Sequence, residues 1–211
     1  FSINGFVATF RDPPIINDAT NQLVQAYEKI SPTGFMPNSK DLLLLENLFG
    51  KHKMEHIGVP TVEQGNLFKA YPMGLLDSLI RVLPVKIQKE FFSHNRDEVL
   101  GLVADLAKHQ TNLVLDIQDG ELKRIGIELK LRHQKQRKPS AEIEAIFKNG
   151  FVRRTLEKKR LLGLQQFIEP QQVDINNAMS LALNHLKVSF KPGGAIQWKA
   201  YWVYLSQMRR S

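Results

Sequence analysis

The chain has 211 residues, of which 43% are apolar, and it carries a formal net charge of +8. That length and composition are enough to bury one substantial core, so we expect a folded protein rather than a disordered one. It contains no cysteine, which excludes disulfides and thiolate zinc sites and is compatible with a reducing compartment.

No apolar run approaches the length of a membrane span, and the first residues lack the pattern of a signal peptide. We therefore expect an intracellular protein with no membrane partner, in the cytoplasm or, in a eukaryote, the nucleus. Because the sequence begins at Phe1 rather than Met, we also expect a preceding segment.

The charge is distributed unevenly along the chain. Residues 1–110 contain 11 Lys/Arg and 12 Asp/Glu, whereas residues 111–211 contain 18 and 9. Such an asymmetry predicts a polyanionic partner that meets the second half, most often nucleic acid, either DNA or RNA. A surface that is charged only for solubility is the alternative.

The first half of the chain is typical of two short strands among several helices. The strands are predicted near 1–10 and 67–71. The helices are predicted near 17–30, 39–49, 74–82, 84–92 and 95–106. The helix at 39–49 is apolar on most sides, so we expect it in the core, and Asn95 with Glu98 forms a capping-box pattern for the last helix.

A β-hairpin is predicted from Asn112 to Arg132. Its second strand alternates between apolar and polar side chains, which is the period of a strand with one buried face. The first strand alternates in the same way. Matching the two apolar faces requires an odd number of loop residues. A loop of Gln118, Asp119 and Gly120, with Gly120 left-handed, satisfies this requirement.

The remaining chain is predicted to form helices near 139–148, 152–167 and 174–186, with Asn149-Gly150 as a helix C-cap signal. Two strands, 188–190 and 195–205, then follow and are joined by a turn. The sequence shows no internal repeat and no convincing linker. We therefore expect an α+β fold in a single domain spanning 1–211, with helices packed on a mostly antiparallel sheet.

The second strand of the hairpin carries the segment Gly126-Ile127-Glu128-Leu129-Lys130. It resembles the E-x-K strand of the PD-(D/E)XK nucleases. The resemblance implies that Glu128 would bind a divalent metal such as Mg²⁺ together with a second acid, and that Lys130 would assist the attacking water. Oxygen ligands suit Mg²⁺, and a bound cation stabilises charge that develops on a phosphate.

The second acid of such a site is not evident from the hairpin. In the predicted register, Asp116 lies roughly 20 Å from Glu128 along the strand. An acid from the preceding helix, Asp97, Glu98 or Asp105, would have to take its place. The alternative interpretation is an amphipathic strand whose charges face solvent or a partner.

A basic segment follows the hairpin, with 11 Lys/Arg and 3 Asp/Glu between residues 130 and 160. Such a segment is suited to phosphate contacts that are independent of base sequence and sensitive to salt. A solvated helix face is the alternative. The predicted nucleic-acid-binding residues are Arg124, Lys130, Arg132, Lys135, Arg137, Lys138, Arg153, Arg154, Lys158 and Lys159.

Two further patterns have competing interpretations. His52-Lys53-Met54-Glu55-His56 matches the H-x-x-E-H pattern of inverted zinc metalloproteases, which requires the histidines to share a helix face. Near the C-terminus, the aromatic residues of 196–205 lie on both faces of a strand. We interpret them as core residues; exposed aromatics that stack unpaired bases are the alternative.

These patterns favour a nucleic-acid-binding protein that uses the hairpin and the basic helices, as a subunit of a larger nucleoprotein assembly. One alternative is a metal-dependent nuclease with Glu128 and Lys130 as catalytic residues. Another is a scaffold protein whose basic face binds an acidic protein. Nucleotide-binding loops and a Ser/His/Asp arrangement are not recognisable in the sequence.

Overall fold

The computed structural model describes residues 6–18, 22–25, 36–59, 67–106, 111–130, 146–156, 171–172 and 179–206. The strands in these residues are β1 (Phe6–Thr9), β2 (Lys53–Val59), β3 (Phe68–Met73), β4 (Thr111–Gln118), β5 (Glu121–Lys130), β6 (Gln171–Gln172), β7 (Met179–Phe190) and β8 (Ile196–Ser206). The α-helices are α1 (Ser39–Phe49), α2 (Leu76–Val82), α3 (Val85–Phe92), α4 (Arg96–Leu106) and α5 (Gly150–Thr155).

The described strands form an eight-stranded sheet in the order β1-β2-β3-β4-β5-β7-β6, with β8 paired to β7. The pairs β1–β2, β2–β3, β3–β4 and β6–β7 are antiparallel. Helices separate β1 from β2 and β3 from β4 in the chain. The predicted α+β class, with helices and a mostly antiparallel sheet, is therefore confirmed.

The chain groups into two compact units, each assembled from separate stretches. The first unit consists of Phe1–Arg96, Asn112–Ile127 and Ser189–Ala195. The second consists of Asp97–Thr111, Glu128–Val188 and Ile196–Ser211. Because the stretches of the two units alternate in sequence, neither unit is a continuous segment. The extent of one domain over 1–211 stays a prediction.

Helix α1 of the first unit begins at a complete capping box. The Asn38 side chain accepts a hydrogen bond from the backbone N–H of Asp41, and the Asp41 side chain accepts one from the backbone N–H of Asn38. These two bonds provide acceptors for backbone N–H groups that have no hydrogen-bond partner within the helix. The helix buries Leu42, Leu45 and Leu48 but leaves Leu43 exposed, so the predicted core role holds for one face.

The hairpin of β4 and β5 is confirmed, but its loop differs from the prediction. The strands leave two residues between them, Asp119 and Gly120, and Gln118 belongs to β4. Both loop residues are left-handed, with φ of 55° and 77°. A two-residue type I′ hairpin turn requires a positive φ at both positions, and Asp-Gly is a preferred pair for this turn.

Strand β7 replaces the helix that was predicted at 174–186. The spacing of Leu181, Ala182 and Leu186 and the high helix propensity of these residues favour a helix locally. In the structure the chain is extended from Met179 onward and pairs with β6 and β8. Sheet pairing therefore overrides local propensity here.

The segment around α5 also differs from the prediction. A helical stretch ends at Lys148, as predicted, and Asn149 then also begins α5, because its side-chain oxygen accepts hydrogen bonds from the backbone N–H groups of Phe151 and Val152. The helix ends at Thr155, since Leu156 has an extended backbone with φ −98° and ψ 122°. The predicted continuous helix over 152–167 is therefore wrong.

Candidate nucleic-acid interface

The two strands of the hairpin are joined by an ion pair in the first unit. Asp116 Oδ2 lies 3.5 Å from Arg124 Nε, and the Asp116 side chain is almost inaccessible. This contact brings the Asp116 carboxylate and the Arg124 guanidinium together, although the two-residue turn is not the odd loop that the predicted matching of faces required. Arg124 thus already has an anionic neighbour within the protein, while its role as a phosphate ligand stays a prediction.

Glu128 of the E-x-K segment lies in the second unit beside a lysine. Its Oε1 is 3.5 Å from Lys187 Nζ, and the two side chains are only 12% and 7% exposed. In the described part of the chain, no three His, Asp or Glu side chains are grouped as metal ligands. Within the described residues, the charged neighbour that the structure shows for Glu128 is an ammonium, which repels a cation rather than helping to bind one.

The H-x-x-E-H segment does not form the helix that a zinc site would need. Residues 53–56 lie on β2, and His52 directly precedes that strand. Two positions four residues apart along a strand are separated by roughly 13 Å, which is too far for both histidines to bind one zinc. His56 instead lies 3.0 Å from the carboxylate of the adjacent Glu55. The zinc hypothesis is therefore wrong.

The predicted phosphate-binding residues are only partly within the described chain. Lys130 ends β5, and its side chain lies outside the described part. Arg153 and Arg154 lie on α5, and both are exposed. The predicted residues outside the described ranges are Arg132, Lys135, Arg137, Lys138, Lys158 and Lys159.

Arg154 is paired with Glu98 of α4 inside the second unit. Both carboxylate oxygens of Glu98 accept hydrogen bonds from the Arg154 guanidinium. These hydrogen bonds hold the pKa of the Glu98 carboxyl below its ordinary value. Arg153, in contrast, has no ion pair within the described ranges. Glu98 therefore neutralises one of the two arginines that α5 presents to solvent.

Helix α5 packs against β8 through the side opposite its arginines. Phe151 and Val152 are buried, and the rings of Phe151 and Trp198 are 6.5 Å apart. Trp198 Nε1 donates a hydrogen bond of 3.0 Å to Thr155 Oγ1. These contacts fix a short cationic helix on one face of a strand that is rich in aromatic residues.

The aromatic residues of β8 are less buried than predicted. Tyr201 is 37% exposed and Trp202 is 41% exposed, so the core interpretation is wrong for these two side chains. Because side chains alternate along a strand, Trp202 shares the face of Trp198, where α5 packs, and Tyr201 lies on the other face. There Tyr201 stacks on His185, with ring centroids 4.1 Å apart and planes inclined by 14°.

A comparison with protein-family models finds no match for this chain, and neither does a comparison with curated protein sequences. The geometry of the site therefore has to carry the functional interpretation. No helix in the described ranges is both long enough and apolar enough to cross a membrane.

The sequence itself contains an indication that Tyr201 and Trp202 are not both buried. Tyr201 and Trp202 are consecutive residues of a strand, so they point to opposite faces. Burying both requires cover on both sides of the sheet at the same position. The sequence does not show such cover, and an exposed aromatic pair was therefore recognisable as an alternative.

Proposed function

We propose that this protein binds nucleic acid through a surface of the second unit, the α5–β8 surface, defined by Arg153, Arg154 and Trp202. In the sequence, α5 belongs to the basic segment at 130–160, which contains 11 Lys/Arg and 3 Asp/Glu. Phosphate contacts of this kind provide affinity without reading the base sequence.

One observation carries the proposal: a helix with two exposed arginines is fixed on the face of a strand that also exposes a tryptophan. Cationic side chains attract phosphates, and aromatic side chains attract the faces of bases. An ordinary solvated helix face accounts for the arginines but does not account for an exposed tryptophan farther along the strand face on which the helix packs. The combination favours a nucleic acid over a purely electrostatic partner.

The two alternative functions, a nuclease and a scaffold protein, depend on different residues. A nuclease would depend on Glu128, whose carboxylate faces Lys187 at 3.5 Å. A scaffold for an acidic protein would use Arg153 but would not require the exposed indole of Trp202. Participation in a larger nucleoprotein assembly is part of the proposal, since a surface that does not read base sequence leaves target choice to partner proteins.

Binding of a labelled nucleic acid across a salt series tests the proposal. We expect log K to fall linearly with log salt concentration for the wild-type protein. Replacing Arg153 by alanine should weaken binding and make the slope shallower by about 0.7 to 0.9 if one phosphate contact is lost. Fluorescence anisotropy at several salt concentrations measures both quantities.

Lys86→Ala is the matched control, because Lys86 is an exposed cation on α3 of the first unit. It lowers the net charge by the same amount and should leave the slope nearly unchanged. Equal effects of the two substitutions would show that only total charge matters, and the proposed surface would then be wrong. The absence of binding at low salt would contradict nucleic-acid binding itself.

A further inference from the structure

We propose that the ligand of the α5–β8 surface is a single-stranded nucleic acid and that Trp202 stacks on one of its bases. This inference rests on the proposed function and makes it more specific. It assigns a role to a residue outside the basic segment, and it selects a single strand over a duplex.

The first step is the placement of the two tryptophans on β8. Trp198 and Trp202 lie on the same face, four residues apart, which corresponds to roughly 13 Å along a strand. Helix α5 covers this face at Trp198, where Thr155 accepts the indole hydrogen bond. Farther along the same face, residue Trp202 is 41% exposed.

The second step is the chemistry of the exposed indole. Large aromatic side chains bury much apolar area in a core or an interface, so the exposed part of Trp202 offers an apolar surface to a flat ring. In a duplex the faces of the bases are covered by neighbouring pairs. In a single strand they are accessible, and every base presents a π-face, so stacking is tolerant of sequence.

The third step is the charge beside the indole. Arg153 and Arg154 are exposed on α5, the helix that packs on the Trp198 end of this face. A strand with a base on Trp202 can extend its phosphates toward these guanidinium groups. The two tryptophan positions are roughly 13 Å apart along β8, a span that a few extended nucleotides cover. Because the arginines lie on the side of α5 that faces away from β8, a strand stacked on Trp202 must continue over α5 to bring its phosphates to them.

Tryptophan fluorescence gives a direct readout of the inferred contact. The protein contains two tryptophans, and Trp198 is partly covered and hydrogen-bonded to Thr155. A short oligothymidylate should quench the fluorescence of Trp202 on binding. Trp202→Leu should remove the quenching and weaken binding by about 10-fold or more, whereas Trp202→Phe should retain most of the affinity.

Tyr201→Leu is the matched control, because Tyr201 is adjacent in sequence, similarly exposed and on the other face of β8. It should change the affinity for oligothymidylate by less than about 2-fold if the strand uses the Trp202 face. Thermal unfolding of each variant checks that a loss of binding is not a loss of folding.

The possible outcomes separate the inference from the proposed function. If Trp202→Leu binds oligothymidylate as tightly as the wild type while binding stays salt-dependent, base stacking is refuted and nucleic-acid binding stands. Equal competition by duplex and single strand, or tighter binding of polyglutamate than of oligothymidylate, would also overturn the inference. Failure to bind any nucleic acid at low salt would refute the proposed function as well.

Discussion

Replacing Glu128 by alanine is expected to lower the free energy of unfolding by about 3 kcal/mol, because it leaves the ammonium of Lys187 buried without its counter-ion. The two charged atoms are 3.5 Å apart, and the Lys187 side chain is 7% exposed. Removing one partner of a buried pair is costly, since the remaining charge keeps its desolvation penalty. Chemical denaturation of the purified protein measures the change.

A double variant distinguishes a structural role of this pair from a catalytic one. Glu128→Leu combined with Lys187→Met removes both charges and should recover most of the stability lost by Glu128→Ala. A nuclease based on Glu128 would behave differently. If Glu128→Ala kept its full stability and lost a metal-dependent cleavage activity, the structural interpretation would be contradicted and the nuclease hypothesis would gain support.

Replacing Asp41 by alanine is expected to lower the free energy of unfolding by about 2 kcal/mol. Asp41 is buried, and its Oδ1 accepts a 2.7 Å hydrogen bond from the backbone N–H of Gly120 in the hairpin turn. Its Oδ2 accepts a 3.3 Å bond from the backbone N–H of Asn38. The substitution removes a helix cap and leaves a donor of the turn without its partner.

Asp119→Asn is the matched control for this substitution. Asp119 lies beside Gly120 in the same turn, and its carboxylate accepts only an exposed hydrogen bond from Asn38. Asparagine tolerates the left-handed backbone of this position, so the stability should change by less than about 0.5 kcal/mol. Similar losses for Asp41→Ala and Asp119→Asn would contradict the assigned role of Asp41 as the link between α1 and the hairpin.

Local signals were sufficient for much of the fold. Regular alternation identified β5, and the apolar residues of 39–49 identified α1. The α+β class followed from such elements. Local sequence patterns do not show which strands pair with one another in the sheet. Leu181 and Leu186 have helix-like spacing, yet they lie on β7 because neighbouring strands supply hydrogen bonds that a local pattern does not contain.

The candidate site was predicted less completely than the fold. The sequence identified Arg153 and Arg154 as basic surface residues, and both are exposed. It could not identify Glu98 as the partner of Arg154, because the two residues are 56 positions apart in the chain. It also could not identify Lys187 as the neighbour of Glu128. Both contacts depend on tertiary packing, and both change the chemistry expected of the residues involved.

Glu98 offers a direct means of testing the proposed interface. Its hydrogen bonds to Arg154 lower the pKa of the carboxyl, so the group stays charged until the pH falls below its ordinary range. The stabilisation from this pair is present above the unfolded pKa and is lost as the pH falls through the folded value. Substitution is therefore a cleaner way than acidification to remove the negative charge from beside Arg154.

The most direct measurement compares nucleic-acid binding by the wild type, Glu98→Gln and Asp97→Asn at two salt concentrations. Asp97→Asn makes the same change in charge one residue away and serves as the control. If α5 faces the polyanion, Glu98→Gln should bind more tightly than both other proteins and show a steeper salt dependence, because the Arg154 charge is no longer neutralised. An affinity that is unchanged or weaker in Glu98→Gln, with the same salt dependence as the wild type, would contradict a nucleic-acid interface at the α5–β8 surface.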